Sequence, residues 1–243
     1  MLFALDIDGT IGRDTNHIAC ILTREFSLPL SEKALDQVDS LSAFLRLRAV
    51  RAYLNNCSEE QREAFREALR AAGRHPDVQR NRIPMPGAVG ALQELAREGA
   101  NVIYTTCRQP ESEQLTRDWL ARHGFPYPNR AYCCQHYYHK YLKAHELAES
   151  EEPVIVIDDQ VENMVNGFRA LAHSHAEVAR QLYRRLAVVA FACKRIPTFP
   201  VKIPFLVVTL KSWRPKDLAS LRRTWFTLEH AVQKRTETTL FRI

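Results

Sequence analysis

The sequence lacks any long hydrophobic run. Its 243 residues contain no apolar stretch near the roughly 18 residues that a membrane-spanning helix requires. Close to the start, Asp6 and Asp8 interrupt the apolar core that a signal peptide would need. These absences argue against a membrane partner, and we expect a cytoplasmic protein.

Two common binding motifs are also absent. No pair among the six cysteines has the C-x-x-C spacing of a structural zinc site, and scattered cysteines without a secretory signal indicate reduced thiols. No G-x-x-x-x-G-K sequence occurs, which excludes a P-loop kinase within this sequence. Any chemistry must therefore come from other residues.

Charge is unevenly distributed in an otherwise ordinary composition. Hydrophobic residues make up 46% of the chain and charged residues 26%, which is typical of a soluble globular protein. Residues 164–243 hold 15 Lys and Arg against 4 Asp and Glu, whereas residues 1–163 are net acidic. A basic segment of this kind makes nucleic acid a possible partner, and a solvated basic face is the alternative.

Short apolar segments alternate with amphipathic ones. Residues 2–6, 102–106, 154–157 and 205–210 are predicted strands, and residues 88–98, 115–123, 140–148 and 215–234 are predicted helices. Strands that are apolar on both faces and alternate with helices indicate a Rossmann-like, doubly wound parallel sheet. We therefore predict an α/β fold.

Two segments do not fit the alternation. Residues 14–83 carry helical signals, including a capping box that begins at Ser58, and are too long for a structureless loop. We predict that they form a helical cap subdomain inserted into a core made of residues 1–13 and 84–243. Residues 172–204 are predicted to be a helical insertion of that core.

Polar residues follow three of the predicted strands. Asp6 and Asp8 follow the first strand, Thr106 ends the second, and Asp158-Asp159 ends the third. Ligands of open parallel sheets bind at the carboxyl ends of the strands, so these side chains should converge. Adjacent carboxylates at a sheet end repel each other unless a cation neutralises them, and an all-oxygen set suits Mg²⁺.

These segments resemble the four motifs of the haloacid dehalogenase-like hydrolases. Asp6-Ile7-Asp8-Gly9-Thr10 is similar to the family's D-x-D-G-T motif, and Thr106-Cys107-Arg108 to its second motif. The resemblance implies that Asp6 is a nucleophile toward phosphorus, that Asp8 is a general acid/base, and that Thr106 binds a phosphoryl oxygen. Lys140, in preference to Lys143, is expected to supply the lysine of the third motif.

The fourth motif corresponds to Ile157-Asp158-Asp159. The resemblance implies a Mg²⁺ ion, with Asp6, Asp8, Asp158 and Asp159 as its expected ligands. Where some relatives carry a further Asp downstream, this chain has Glu162-Asn163, which leaves the outer shell of the metal undefined.

Together these features predict a Mg²⁺-dependent phosphatase that acts through an aspartyl-phosphate on a small soluble phosphorylated metabolite or nucleotide. The segments Thr106-x-Arg108-x-Pro110 and Thr116-x-x-Trp119 also resemble phosphatases that act on nucleotides or on polynucleotide ends. With the basic C-terminal part, this makes a 3′-phosphatase of nucleic acid an alternative. A non-catalytic phosphate-binding protein of the same fold is a third hypothesis. The oligomeric state is left open.

Overall fold

The structure of the protein is a computed structural model that describes residues 1–13, 15–38, 41–193 and 205–240. The chain divides into two compact units. Met1–Gly12 and Pro84–Ile243 form the first unit, and Arg13–Ile83 forms the second. All of the motif residues named above lie in the first unit.

A parallel sheet of six strands is the centre of the first unit, counted over the described residues, in the spatial order β5-β4-β1-β6-β7-β8. In chain order the strands are β1 (Leu2–Leu5), β2 (Gly12–Arg13), β3 (Ile83–Pro84), β4 (Asn101–Thr106), β5 (Ala131–Cys133), β6 (Val154–Asp158), β7 (Leu186–Phe191) and β8 (Leu206–Leu210). The short strands β2 and β3 pair in a separate sheet. The predicted α/β fold with a doubly wound parallel sheet is confirmed.

The register of β1 places the carboxyl ends of three strands side by side. Leu5 pairs with Tyr104 of β4 on one side and with Ile157 of β6 on the other. The next residue of each strand is therefore level with Asp6. This alignment brings the polar residues that follow β1, β4 and β6 to one edge of the sheet.

Both faces of the sheet are covered, which explains why its strands are continuously apolar. Phe3 and Leu5 of β1 belong to one hydrophobic cluster, whereas Leu2 and Ala4 belong to another on the opposite face. This division follows from the alternation of side chains along an extended strand. Burial on both faces fixes β1 firmly and with it the direction in which Asp6 leaves the sheet.

The helices of the first unit are α7 to α12, and those of the second are α1 to α6. In chain order they are α1 (Thr15–Glu25), α2 (Glu32–Asp36), α3 (Leu41–Arg46), α4 (Arg48–Asn56), α5 (Glu59–Arg74), α6 (Pro76–Arg80), α7 (Ala88–Arg97), α8 (Glu113–Arg122), α9 (Tyr137–Leu147), α10 (Val161–Ser174), α11 (Ala176–Tyr183) and α12 (Pro215–Leu240). Among the described residues, no helix is both long and apolar enough to cross a membrane.

The second unit has a hydrophobic core of its own, which includes Phe44, Val50 and Phe65. Its helix α5 begins with the predicted capping box, in which Ser58 accepts a hydrogen bond from the backbone N–H of Gln61 and the Gln61 side chain accepts one from the backbone N–H of Ser58. The apolar residues between 41 and 54 form two helices, because Leu47 between them has an extended ψ of 138°.

The predicted helical insertion at residues 172–204 is wrong in its centre. After α11 the chain forms β7, which lies between β6 and β8 in the sheet. The run Leu186–Phe191 is short, rich in valine and buried throughout, and periodicity alone does not distinguish such a run from a buried helical segment. Residues 194–204 of the prediction lie outside the described residues.

Glycine permits close packing of α9 against α10, and this generates a stability prediction. A Cβ at Gly167 would lie 2.5 Å from the Cβ of Tyr137, whereas a Cβ at the helical Gly90 would meet nothing within 4 Å. Gly167→Ala should therefore lower the free energy of unfolding by about 1–3 kcal/mol. The matched variant Gly90→Ala should raise it by about 0.5–1 kcal/mol. Urea unfolding of both variants checks the pair, and equal effects would contradict the packing described.

Candidate active site

The loop that follows β1 turns sharply at a glycine. Gly9 has a φ of +87°, and a Cβ at this position would lie 2.4 Å from the Oδ2 of Asp159. Only glycine meets both demands, because other residues are strained at this φ and lack the space. The turn closes when the backbone N–H of Gly12 donates to the carbonyl of Ile7 at 2.9 Å. Asp6 and Asp8 are thereby held on a compact loop beside the sheet edge.

Lys140 connects the ends of β1 and β6. Its Nζ lies 2.7 Å from the Oδ1 of Asp6 and 2.7 Å from the Oδ2 of Asp158. All three side chains are buried, and that of Lys140 is 1% exposed. An ammonium shared by two buried carboxylates offsets much of the cost of removing these charges from water.

Thr10 joins the first loop to the acidic pair after β6. Its hydroxyl accepts a hydrogen bond from the backbone N–H of Asp159 at 3.1 Å and lies 3.5 Å from the Oδ2 of Asp6, to which it donates. The carbonyl of Thr10 accepts a 2.8 Å hydrogen bond from the indole N–H of Trp213, which is buried beyond β8. These contacts fix the position of Asp159 relative to Asp6.

Asp8 has a different environment from Asp6. The Nε of Arg108 donates to the Oδ2 of Asp8 at 3.0 Å, and the Nη2 donates to the Oδ1 at 2.8 Å. The hydroxyl of Thr106 lies 3.4 Å from the same Oδ2. Two carboxylates that are only two residues apart thus have separate cationic partners, Lys140 for Asp6 and Arg108 for Asp8.

Comparison with known proteins identifies the architecture. No family model matches the chain. A haloacid dehalogenase-like family hydrolase from Xanthomonas campestris is 12% identical, with 95% of this chain and 98% of that chain covered and a TM-score of 0.53. A hydrolase of the same family from Deinococcus radiodurans R1, crystallised with bound phosphate and sodium, is 17% identical, with coverages of 94% and 96% and a TM-score of 0.51. The chain has the haloacid dehalogenase-like hydrolase fold.

A curated protein from Bacillus cereus is also similar in sequence. It carries the name "Putative nucleotidase" and is 29% identical over 128 residues. The match covers 52% of this chain, and the chain spans about 60% of the length of that relative.

Burial perturbs the acids at this edge of the sheet. Burial raises the pKa of Asp6 to about 7, with Lys140 opposing the rise and Asp158 adding to it. Burial and the neighbouring charge of Asp158 raise the pKa of Asp159 to about 6. Burial by itself would lower the pKa of Lys140, but Asp6 and Asp158 outweigh it and raise that pKa well above its ordinary value. Asp6 and Asp159 resist ionisation first because they are buried, and second because each lies beside the carboxylate of Asp158.

The excess negative charge suits a divalent cation. One oxygen each of Asp6, Asp158 and Asp159 lies within 4.8 Å of the others. The Oδ1 of Asp159 is buried without a hydrogen-bond partner within the described part of the chain. Three carboxylates and one ammonium leave two negative charges, and oxygen ligands are those that Mg²⁺ prefers. The residues present therefore fit a Mg²⁺ ion.

The structure brings together most of the residues predicted from the sequence. Asp6, Lys140, Asp158 and Asp159 form one group, and Thr106 lies with Asp8 in an adjacent one. The predicted ligand Asp8 does not join the acidic group through its carboxylate, because that carboxylate is held by Arg108.

The alternative lysine of the third motif lies elsewhere. The Nζ of Lys143 is 2.6 Å from the carboxylate of Glu146 on the same helix. Lys140 begins a buried face of α9, together with Tyr141 and Ala144, whereas Lys143 is only partly buried. Helical spacing therefore directs Lys140 and not Lys143 to the acids of β1 and β6.

The roles of three residues of the site do not follow from the sequence. Thr10 stands in the sequence only as part of the first motif, and Trp213 carries no signal because 203 residues separate it from its partner Thr10. Arg108 is distinguished in the sequence only by its spacing from Thr106. Its partnership with Asp8 arises only when β1 and β4 become neighbours in the sheet.

The raised pKa values generate a prediction for the metal-free protein. Between about pH 4 and 7, Asp6 and Asp159 bind more protons in the folded chain than in the unfolded chain, so their contribution to the free energy of unfolding should fall as the pH rises through that window. Asp6→Asn removes one such group. The free energy of unfolding of Asp6→Asn minus that of wild type should therefore increase by about 2 kcal/mol as the pH rises from about 5 to about 8.

Urea unfolding in the presence of a chelator measures this difference at each pH. The exposed Asp118→Asn variant is the control, since Asp118 lies on α8 away from the acidic group. A difference between wild type and Asp6→Asn that does not change with pH would contradict the raised pKa of Asp6.

Proposed function

We propose that the protein is a Mg²⁺-dependent phosphatase that hydrolyses a phosphate monoester through an aspartyl-phosphate on Asp6. The observation that carries this proposal is the division of labour between two neighbouring carboxylates. Asp6 lies among Lys140 and the acidic pair, whereas Asp8 lies on Arg108 outside the acidic group. Pairs of acids whose environments differ in this way are suited to separate roles in one reaction.

The proposed reaction has two displacements at phosphorus. In the first, the Asp6 carboxylate forms a bond to phosphorus, the ester P–O bond breaks, and the leaving oxygen takes a proton from Asp8. In the second, Asp8 accepts a proton from water as the water oxygen bonds to phosphorus and the bond to Asp6 breaks. Phosphate and the alcohol are the products, and both aspartates return to their starting states.

Charge on the transferring group would be stabilised by groups at the same sheet edge. Lys140, whose Nζ contacts Asp6, would stabilise negative charge there, and the hydroxyl of Thr106, which lies beside Asp8, would donate to a phosphoryl oxygen. A Mg²⁺ ion held by Asp6, Asp158 and Asp159 would supply further Lewis-acid stabilisation of the phosphoryl charge.

A small soluble phosphate ester or a nucleotide is the proposed substrate. The similarity to the Bacillus cereus protein named as a nucleotidase supports the inclusion of nucleotides. We propose that the Arg13–Ile83 unit is the family's inserted cap, because it follows the first motif directly in the chain. The cytoplasmic location expected from the sequence stays a prediction.

Two arginines in the described part of the basic segment have partners within the protein and give no support to the polynucleotide alternative. Arg222 pairs with Glu94 and Glu98, and Arg185 donates to backbone carbonyls in a partly buried position. These arginines have structural partners within the protein. A nucleic-acid substrate is therefore retained only as an outcome of the substrate test.

Loss of activity in single variants tests the proposed chemistry. With Mg²⁺ and p-nitrophenyl phosphate, Asp6→Asn should lower kcat by at least about 10³-fold, because the nucleophile is lost. Lys140→Met should lower it by about 10²–10³-fold, because charge beside Asp6 is no longer balanced. The matched variant Lys143→Met should retain wild-type activity.

Thermal unfolding of each variant confirms that it is folded before activity is compared. Chelation of the metal should abolish turnover by the wild type, and added Mg²⁺ should restore it. Full activity of Asp6→Asn, or equal losses in Lys140→Met and Lys143→Met, would contradict the proposal.

Release of inorganic phosphate from a panel of esters tests the substrate class. The panel contains nucleoside monophosphates, sugar phosphates and oligonucleotides with a 3′-phosphate. We expect turnover of mononucleotides or sugar phosphates at a higher kcat/KM than of oligonucleotides. The reverse order, with binding that weakens as salt increases, would favour the polynucleotide alternative.

A further inference from the structure

The side chain of Arg108 lies behind that of Asp8. It is 4% exposed, whereas the Asp8 side chain is 39% exposed. Its Nε and Nη2 each donate to a different oxygen of the carboxylate, at 3.0 Å and 2.8 Å. A planar guanidinium in this two-point contact fixes both the position and the plane of a carboxylate. Asp8 is thus held from the interior while its outer side faces solvent.

Arg108 is itself anchored. Its Nη1 donates to the hydroxyl of Thr116 at 2.8 Å, and Thr116 is fully buried in α8. Its backbone N–H lies 3.4 Å from the hydroxyl of Thr106, to which it donates. Because its guanidinium is hydrogen-bonded to Asp8 and to Thr116, the Arg108 side chain has little freedom to move toward a substrate.

We propose that Arg108 is a positioning residue that holds Asp8 for proton transfer to the leaving oxygen, and that the substrate is therefore a phosphate ester of an alcohol. This inference rests on the proposed function. The two-point contact is that of an ionised carboxylate. This is the state in which Asp8 is left once it has given its proton to the alkoxide as the ester bond breaks. The guanidinium already present stabilises that charge without rearrangement.

How much the reaction requires a positioned acid at Asp8 depends on the leaving group. An alkoxide from a sugar or nucleoside is strongly basic and must receive a proton as it departs. A nitrophenolate is stable without one, so its departure depends little on a positioned acid. Only the first displacement, which kcat/KM reports, depends on the leaving group, because Asp8 serves as the base of the second displacement for every ester. A residue that acts through Asp8 should therefore lower kcat/KM much more for alkyl esters than for p-nitrophenyl phosphate. A residue with a purely structural role should affect both equally.

The experiment compares Arg108→Ala, Arg108→Lys and Asp8→Asn on p-nitrophenyl phosphate and on the alkyl esters AMP and glucose 6-phosphate. Arg108→Ala should lower kcat/KM for whichever alkyl ester the wild type hydrolyses by about 10²-fold or more, and that for p-nitrophenyl phosphate by less than about 10-fold. Asp8→Asn should show the same selective loss. Arg108→Lys should be intermediate, because it restores charge without the two-point contact.

The control is Arg117→Ala. Arg117 lies on α8 next to Thr116 and, like Arg108, pairs with a carboxylate, that of Glu113. Arg117→Ala should retain both activities. The rise in Tm on addition of Mg²⁺ should persist in Arg108→Ala, which shows that the acidic group around Asp6 is intact.

Each outcome bears on a different proposal. Equal loss of kcat/KM for the aryl and alkyl esters in a folded Arg108→Ala that still responds to Mg²⁺ would overturn the positioning role and leave the phosphatase proposal in place. A wild type that hydrolyses p-nitrophenyl phosphate but neither alkyl ester would overturn the substrate class. A wild type without activity on any ester would overturn the phosphatase proposal and this inference with it.

Discussion

The ammonium of Lys140 between Asp6 and Asp158 is the interaction on which the rest of the site depends. It is buried, and its two 2.7 Å contacts connect α9 to the ends of β1 and β6. Without it, carboxylates at adjacent strand ends would repel one another in a largely buried region. With it, two negative charges of the three carboxylates are left over, and one divalent cation neutralises them. The arrangement is therefore stable enough to fold and still negative enough to bind a cation.

The parallel sheet makes this arrangement possible. Because Leu5 pairs with both Tyr104 and Ile157, the residues that follow β1, β4 and β6 meet at one edge. Contacts from more distant parts of the chain then refine the positions. Trp213 holds the carbonyl of Thr10, and Gly9 leaves room for the carboxylate of Asp159. The separation of Asp6 from Asp8 follows from these contacts together with Arg108.

The parts that were predictable from the sequence are those governed by local pattern. Asp6, Thr106 and Asp158 each follow a continuous apolar run, and such runs define strands and their ends. β7 was missed because Leu186–Phe191 comes directly after a helix without a strong turn signal. The pairing of Asp8 with Arg108 could not be predicted, because it depends on which strands are neighbours and on how Thr116 anchors the guanidinium.

The central claim is that the phosphoryl group passes through Asp6 in two successive displacements. Each in-line displacement inverts the configuration at phosphorus, so two of them restore it. This is measured by hydrolysing a phosphate ester made chiral at phosphorus in isotopically labelled water. The configuration of the product phosphate is then compared with that of the ester. The account predicts overall retention of configuration. Overall inversion would show that water attacks the ester in a single step and would contradict the role given to Asp6.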